Sequence, residues 1–217
     1  MPFARFRRRL ACLALSLFAL AGAPTLAAES IEGRLVEGGV FDFTKLDGNA
    51  RPLANQDAIY TITPWDCVRD EVTGLVWEVK TIDGGLRDQN HTYTWYNPDP
   101  ESNGGAPGTR AGGDCGGGIA CDTQSYVAAV NGRGLCGASD WRLPTRSELK
   151  TIIDYTAEFP AIDTDYFPNT VARSFWTAEP NTTYPSYAWH TDFKFGLASY
   201  YYFKSGPKAV RLVRGGE

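Results

Sequence analysis

Four of the five cysteines in this 217-residue chain lie between residues 67 and 136, and they constrain the fold more than any other feature. Cysteines of an exported chain persist as disulfides, and four cysteines allow three pairings. We favour a Cys115–Cys121 bond that closes a glycine-rich loop and a Cys67–Cys136 bond that ties the start of the domain to its middle. The sequence alone does not choose among the three pairings. A metal site is disfavoured, because there is no Cys-x-x-Cys pair and no histidine beside one.

The N-terminal segment predicts export. Four arginines between residues 5 and 9 precede an apolar segment, 10–21, that is too short to span a bilayer comfortably. Residues 1–27 therefore fit a signal peptide, with a retained membrane anchor as the alternative. Removal of the signal peptide takes away Cys12 and four arginines. The mature chain then has 17 basic and 25 acidic residues, a net charge of −8. We expect an exported bacterial protein, periplasmic, cell-surface or secreted, with no membrane span once the leader is removed.

Charge and motifs exclude several functional classes. Nucleic-acid binding is disfavoured, because it needs a basic face that meets the phosphates. The sequence contains no Gly-x-Ser-x-Gly elbow, Walker loop or dinucleotide fingerprint. We interpret His91 and His190 as packing or surface residues rather than bases. Asp163 and Asp165 leave glycoside hydrolysis open, but the sequence predicts no enzyme.

The first half of the chain predicts short strands and one long loop. Residues 28–64 are expected to form an N-terminal extension with one strand near 58–62, and the domain itself to span residues 65–217. Apolar and polar residues alternate over 75–80, which predicts a half-buried strand. Tyr93 and Trp95 suggest a second strand. Residues 97–121, rich in glycine and proline, form either a flexible surface loop or a recognition loop.

The second half predicts two helices followed by strands. Asp122 or Thr123 caps the first helix, which ends at Gly132 or Gly134. Thr145 to Glu148 matches a capping box that opens the second helix, with a buried stripe of Leu149, Ile152 and Ile153. We expect the closing antiparallel meander to contain strands near 175–177, 187–193, 199–203 and 209–214. The order of elements indicates an α+β fold.

Three separated signatures in this order resemble the Lcl C-terminal domain family, a former domain of unknown function. They read CVRDEVTGLVWEVK over 67–80, NGRGLCG into DWRLPT over 131–145, and VRLVRGG over 210–216. The resemblance implies a disulfide-stapled, C-type-lectin-like fold with two helices, short antiparallel sheets and a long glycine-rich loop. The family takes its name from a collagen-like bacterial adhesin whose C-terminal domain binds sulfated glycosaminoglycans. This chain differs from the adhesin in lacking a collagen-like repeat and in its mature charge of −8, which disfavours sulfated ligands.

The C-terminal strands supply the candidate ligand-binding residues. Aromatic rings can stack on sugar rings while cations contact sulfate or carboxylate groups. The alternative is that the aromatic side chains fill the core and the basic side chains extend to solvent. The candidate ligand-binding residues are Tyr200, Tyr202, Lys204, Lys208 and Arg211.

A tripeptide in the same region suggests calcium. C-type lectins use Glu-Pro-Asn to hold Ca²⁺ and sugar hydroxyls, and Glu179, Pro180 and Asn181 repeat it, with Asp192 downstream. Ca²⁺ requires six or more oxygens, so three residues make an incomplete site. The sequence predicts no other cofactor.

Two hypotheses follow from the sequence. The first is an exported, non-enzymatic recognition domain, adhesin-like, whose partner is a glycan or another cell-surface molecule. The second is a structural or protein-interaction module of the bacterial cell envelope that binds no sugar.

Overall fold

The computed structural model describes residues 35–36, 39–116 and 118–216, and the predicted signal peptide lies outside them. Within these ranges, no helix is long and apolar enough to cross a membrane. The strands are β1 (Leu35–Val36), β2 (Gly39–Val40), β3 (Phe43–Leu46), β4 (Cys67–Asp70), β5 (Val76–Glu78), β6 (Ser174–Pro180), β7 (Tyr187–Asp192), β8 (Leu197–Phe203) and β9 (Val213–Arg214). The α-helices are α1 (Thr123–Arg133) and α2 (Arg146–Lys150), and a single 3₁₀ turn follows α1 at Leu135–Gly137.

The longer strands form two antiparallel sheets. One has the order β3-β4-β5-β9 and the other the order β6-β7-β8, while β1 pairs with β2. The predicted meander is confirmed for its first three strands. Its fourth strand is corrected: β9 pairs with β5, and only Val213 and Arg214 of the expected 209–214 segment are in a strand. Residues 208–213 instead connect the two sheets, because they are bridged in turn to Tyr93, Phe175 and Arg142.

Two expected strands in the first half are wrong. Residues 60–62 form a turn instead of the strand expected near 58–62. Ile59 and Ile62 are 64% and 77% exposed, so these apolar side chains do not pack against the core as those of a half-buried strand would. The described strands within residues 28–64 are instead β1, β2 and β3, and β3 pairs with β4. Tyr93 and Trp95 belong to a segment of isolated bridges rather than to a strand. Both side chains are nevertheless buried in the core.

Both helices begin as predicted from their caps. The Asp122 side chain accepts from the Ser125 N–H at the start of α1, and Gly134 ends it in the left-handed region at φ 66°. The capping box between Thr145 and Glu148 is present at the start of α2. That helix ends at Lys150, so the buried Ile152 follows the helix instead of lying within it.

The half-buried pattern expected for residues 75–80 is wrong, since all six residues are buried. The strand β5 lies between β4 and β9, and its one charged residue, Glu78, is paired inside the protein with Lys80 just beyond the strand. The Glu78 carboxylate accepts from the Lys80 Nζ at 3.0 Å, from the Tyr126 hydroxyl and from the Leu212 N–H at 2.9 Å. Burial is the main cause that lowers the pKa of Lys80 and raises the pKa of Tyr126.

Both predicted disulfides are confirmed. Cys67 on β4 is bonded to Cys136 in the turn after α1, and Cys115 is bonded to Cys121 at the end of the long loop. The described residues of 97–121 form isolated bridges but no helix or strand, so the predicted irregular loop is confirmed for them. With two helices and short antiparallel sheets, the described domain is α+β.

Candidate functional site

The outer side of the β6-β7-β8 sheet carries a row of aromatic side chains. The register pairs Trp189 with Tyr201 and Tyr187 with Phe203, so that alternate residues of β7 and β8 project to the same side. Tyr184, in the turn before β7, extends the row. These five residues, Tyr184, Tyr187, Trp189, Tyr201 and Phe203, are here named the aromatic face.

The rings of the aromatic face contact one another as a continuous surface. The ring centroids of Tyr187 and Phe203 are 4.2 Å apart, and those of Trp189 and Tyr201 are 5.4 Å apart. Tyr184 stacks on Tyr201 with centroids at 5.8 Å. Tyr184, Tyr201 and Phe203 are 51%, 44% and 48% exposed. An apolar surface of several adjacent exposed rings is uncommon unless it contacts a ligand or partner.

The turn that carries Tyr184 is held by Asn181. The Oδ1 atom of this buried side chain accepts from the N–H groups of Thr183 and Tyr184, each at 2.9 Å. The Asn181 N–H donates to the Tyr187 carbonyl at 2.9 Å. Asn181, predicted as a metal ligand, thus positions the aromatic face through bonds inside its own turn.

One end of the aromatic face is bordered by a charge pair. The guanidinium of Arg146, at the start of α2, lies 4.2 Å from the centre of the Trp189 ring. The Glu179 carboxylate accepts from the Arg146 backbone N–H at 2.7 Å and from its Nε at 3.3 Å. Both side chains are partly exposed, so the pair forms a rim at the surface.

A cationic pocket lies elsewhere on this sheet. It has a volume of about 340 Å³, and its walls include the side chains of Arg173, Lys194, Lys208 and Asp192. The Lys208 Nζ lies 4.0 Å from the Tyr202 ring, so these two predicted ligand residues do meet. Burial and Lys208 lower the pKa of the nearby His190 to about 4.

Two other predicted ligand residues, Lys204 and Arg211, do not lie with Lys208 and Tyr202. Lys204 is 1% exposed, and its Nζ donates to the carbonyls of Asn103 at 2.8 Å and Ala106 at 2.6 Å. Arg211 is also 1% exposed, and it donates to the Glu78 carbonyl at 2.6 Å. The expected display of these two cations to a ligand is corrected: they hold the long loop and the core. The Tyr200 side chain lies outside the described residues.

The three predicted calcium ligands do not converge. Glu179 is next to Pro180, which pairs with Ala188 on β7. Asp192 is four residues further along β7, which places it about 13 Å away along the strand. Asp192 accepts from the Lys194 N–H, and Glu179 is bonded to Arg146. No group of three or more His, Cys, Asp or Glu side chains that could hold a metal occurs in the described ranges.

On β8 the aromatic face uses Tyr201 and Phe203, whereas the predicted ligand residue Tyr202 projects to the other side of the sheet. Because side chains alternate along a strand, a shift of one residue moves the whole set to the other side. The sequence signal for the aromatic face was the alternation of Tyr187 and Trp189 with the smaller Ala188 and His190.

A comparison with protein families found a match that covers most of the chain. The family model described as the Lcl C-terminal domain matches residues 66–214. Comparison with curated proteins and with solved structures gave no match.

Proposed function

The chain belongs to the Lcl C-terminal domain family, and from this premise we propose that it is an exported, non-enzymatic recognition domain that binds surface glycans through the aromatic face. The observation that carries the proposal is the continuous row of five aromatic rings on β7, β8 and the preceding turn, three of them exposed and two partly buried. Aromatic rings offer flat apolar surfaces with polar edges, which suit the apolar faces and hydroxyl rims of sugar rings.

The turn that carries Tyr184 is held in place by hydrogen bonds. The Asn181 side chain accepts from the N–H groups of Thr183 and Tyr184. Such rigidity lowers the entropic cost of binding. We further propose that the fold is C-type-lectin-like, on the strength of the family resemblance, the two helices and the small antiparallel sheets. The disulfides and the family favour export, since such bonds persist in oxidising compartments.

A glycan array tests the proposal directly. The purified chain without residues 1–27 is applied to neutral, acidic and sulfated glycans, with added Ca²⁺ and with a chelator. We expect binding to a defined group of glycans that is unchanged by the chelator, because the predicted calcium ligands are engaged within the protein. If the protein binds none of the arrayed glycans, the result would favour the alternative of a protein-interaction module in the cell envelope. Binding only with Ca²⁺ would contradict the proposed site.

A further inference from the structure

The aromatic face has little net charge at its border. In the described part of the chain, Arg146 is the one cation that stacks on a ring of the aromatic face. Lys204 directly follows Phe203, but its ammonium is buried against carbonyl oxygens of the long loop. Arg173, Lys194 and Lys208, which lie just outside the strands of this sheet, line the separate pocket. A ligand lying on the five rings would therefore meet one guanidinium and its acidic partner.

Glu179 offsets the charge of that guanidinium. Its two carboxylate oxygens bind the backbone N–H and the Nε of Arg146, at 2.7 Å and 3.3 Å. In the described residues the two terminal nitrogens of Arg146 make no hydrogen bond with protein groups, so they remain able to donate to hydroxyls. A sulfate or carboxylate on the ligand would gain less from Arg146, because the Glu179 carboxylate lies beside it and repels a second anion.

We infer that the aromatic face selects uncharged sugar chains over acidic ones, and that Glu179 is the residue that determines this selectivity. The inference rests on the proposed function, since it concerns the ligand class of the same site. The rings supply stacking surface, the terminal nitrogens of Arg146 donate to neutral hydroxyls, and Glu179 disfavours anionic groups at that border. Binding to a neutral chain requires no release of counterions, so it depends little on salt.

The test substitutes Glu179 by glutamine, which removes the charge and retains an amide oxygen that can accept from Arg146. Affinities for a neutral glucan, a polyuronate and a sulfated polysaccharide are measured at about 50 mM and about 500 mM salt. The matched control is Glu71→Gln, because the Glu71 carboxylate also pairs with an arginine and is similarly exposed, 34% against 32% for Glu179. Both variants change the net charge equally.

We expect the unmodified protein to bind the neutral glucan with an affinity that changes by less than about twofold between the two salt conditions. Glu179→Gln should gain about tenfold in affinity for the acidic chains at low salt, whereas Glu71→Gln should not. The inference is overturned if the unmodified protein prefers the acidic chains, or if Glu179→Gln and Glu71→Gln behave alike. No binding by any of the three proteins would instead overturn the proposed function, and this inference with it.

Discussion

Substituting Glu78 by alanine is expected to lower the free energy of unfolding by about 3 to 5 kcal/mol. Glu78 is fully buried, and its carboxylate is bonded to Lys80, Tyr126 and the N–H of Leu212. Its loss would leave the Lys80 ammonium, itself 3% exposed, without its counter-ion. A buried charge without a partner is among the most destabilising defects in a protein.

Chemical denaturation followed by circular dichroism measures this effect. The control is Glu71→Ala, because Glu71 lies at the surface 3.7 Å from Arg69, and a surface ion pair contributes about 0 to 1 kcal/mol. A Glu78→Ala protein as stable as the Glu71→Ala protein would contradict the buried charge network. If the Glu78→Ala protein is too unstable to purify, Glu78→Gln is measured in its place. Glutamine keeps hydrogen-bonding atoms, so the stability of this variant should lie between those of the Glu78→Ala and Glu71→Ala proteins.

Removing the Cys67–Cys136 disulfide is expected to destabilise the protein by about 4 kcal/mol, and removing Cys115–Cys121 by about 2 kcal/mol. The difference follows from the sequence separations of 69 and 6 residues, because a longer closed loop restricts the unfolded chain more. Alanine is the better substitute at both pairs. A serine hydroxyl in place of the fully buried Cys67 would add a desolvation cost of its own.

The two double variants are compared by denaturation under identical conditions. The expected order is the unmodified protein first, then the variant without Cys115–Cys121, and the variant without Cys67–Cys136 last. Equal losses, or the reverse order, would show that loop closure does not govern the contribution of these bonds. The losses of stability would then have to be explained by the packing around each cysteine.

Features that depend on neighbouring residues could be predicted from the sequence. The Asp122 cap, the Gly134 end of α1 and the Thr145–Glu148 capping box are set by hydrogen bonds within a few residues. The even cysteine count and the short separation of Cys115 and Cys121 favoured the observed pairing among three.

Features that depend on distant partners could not be predicted. Lys204 and Arg211 look like surface cations in the sequence. They are buried because distant carbonyls accept their hydrogen bonds: that of Asn103, 101 positions from Lys204, and that of Glu78, 133 positions from Arg211. Likewise, which of Tyr201 and Tyr202 belongs to the aromatic face depends on the pairing of β8 with β7, and that pairing shifts near Asp192. Local alternation does not fix such a register.

Tyr201 and Tyr202 provide the most direct test of glycan binding by the aromatic face. They are neighbours on β8, similarly exposed at 44% and 48%, and they project to opposite sides of the sheet. Titration of each alanine variant with the best glycan from the array measures its affinity, and a melting temperature confirms that each is folded. We predict that Tyr201→Ala weakens binding about tenfold, while Tyr202→Ala stays within about twofold of the unmodified protein. Equal effects of the two variants, or a loss confined to Tyr202→Ala, would contradict glycan binding through the aromatic face.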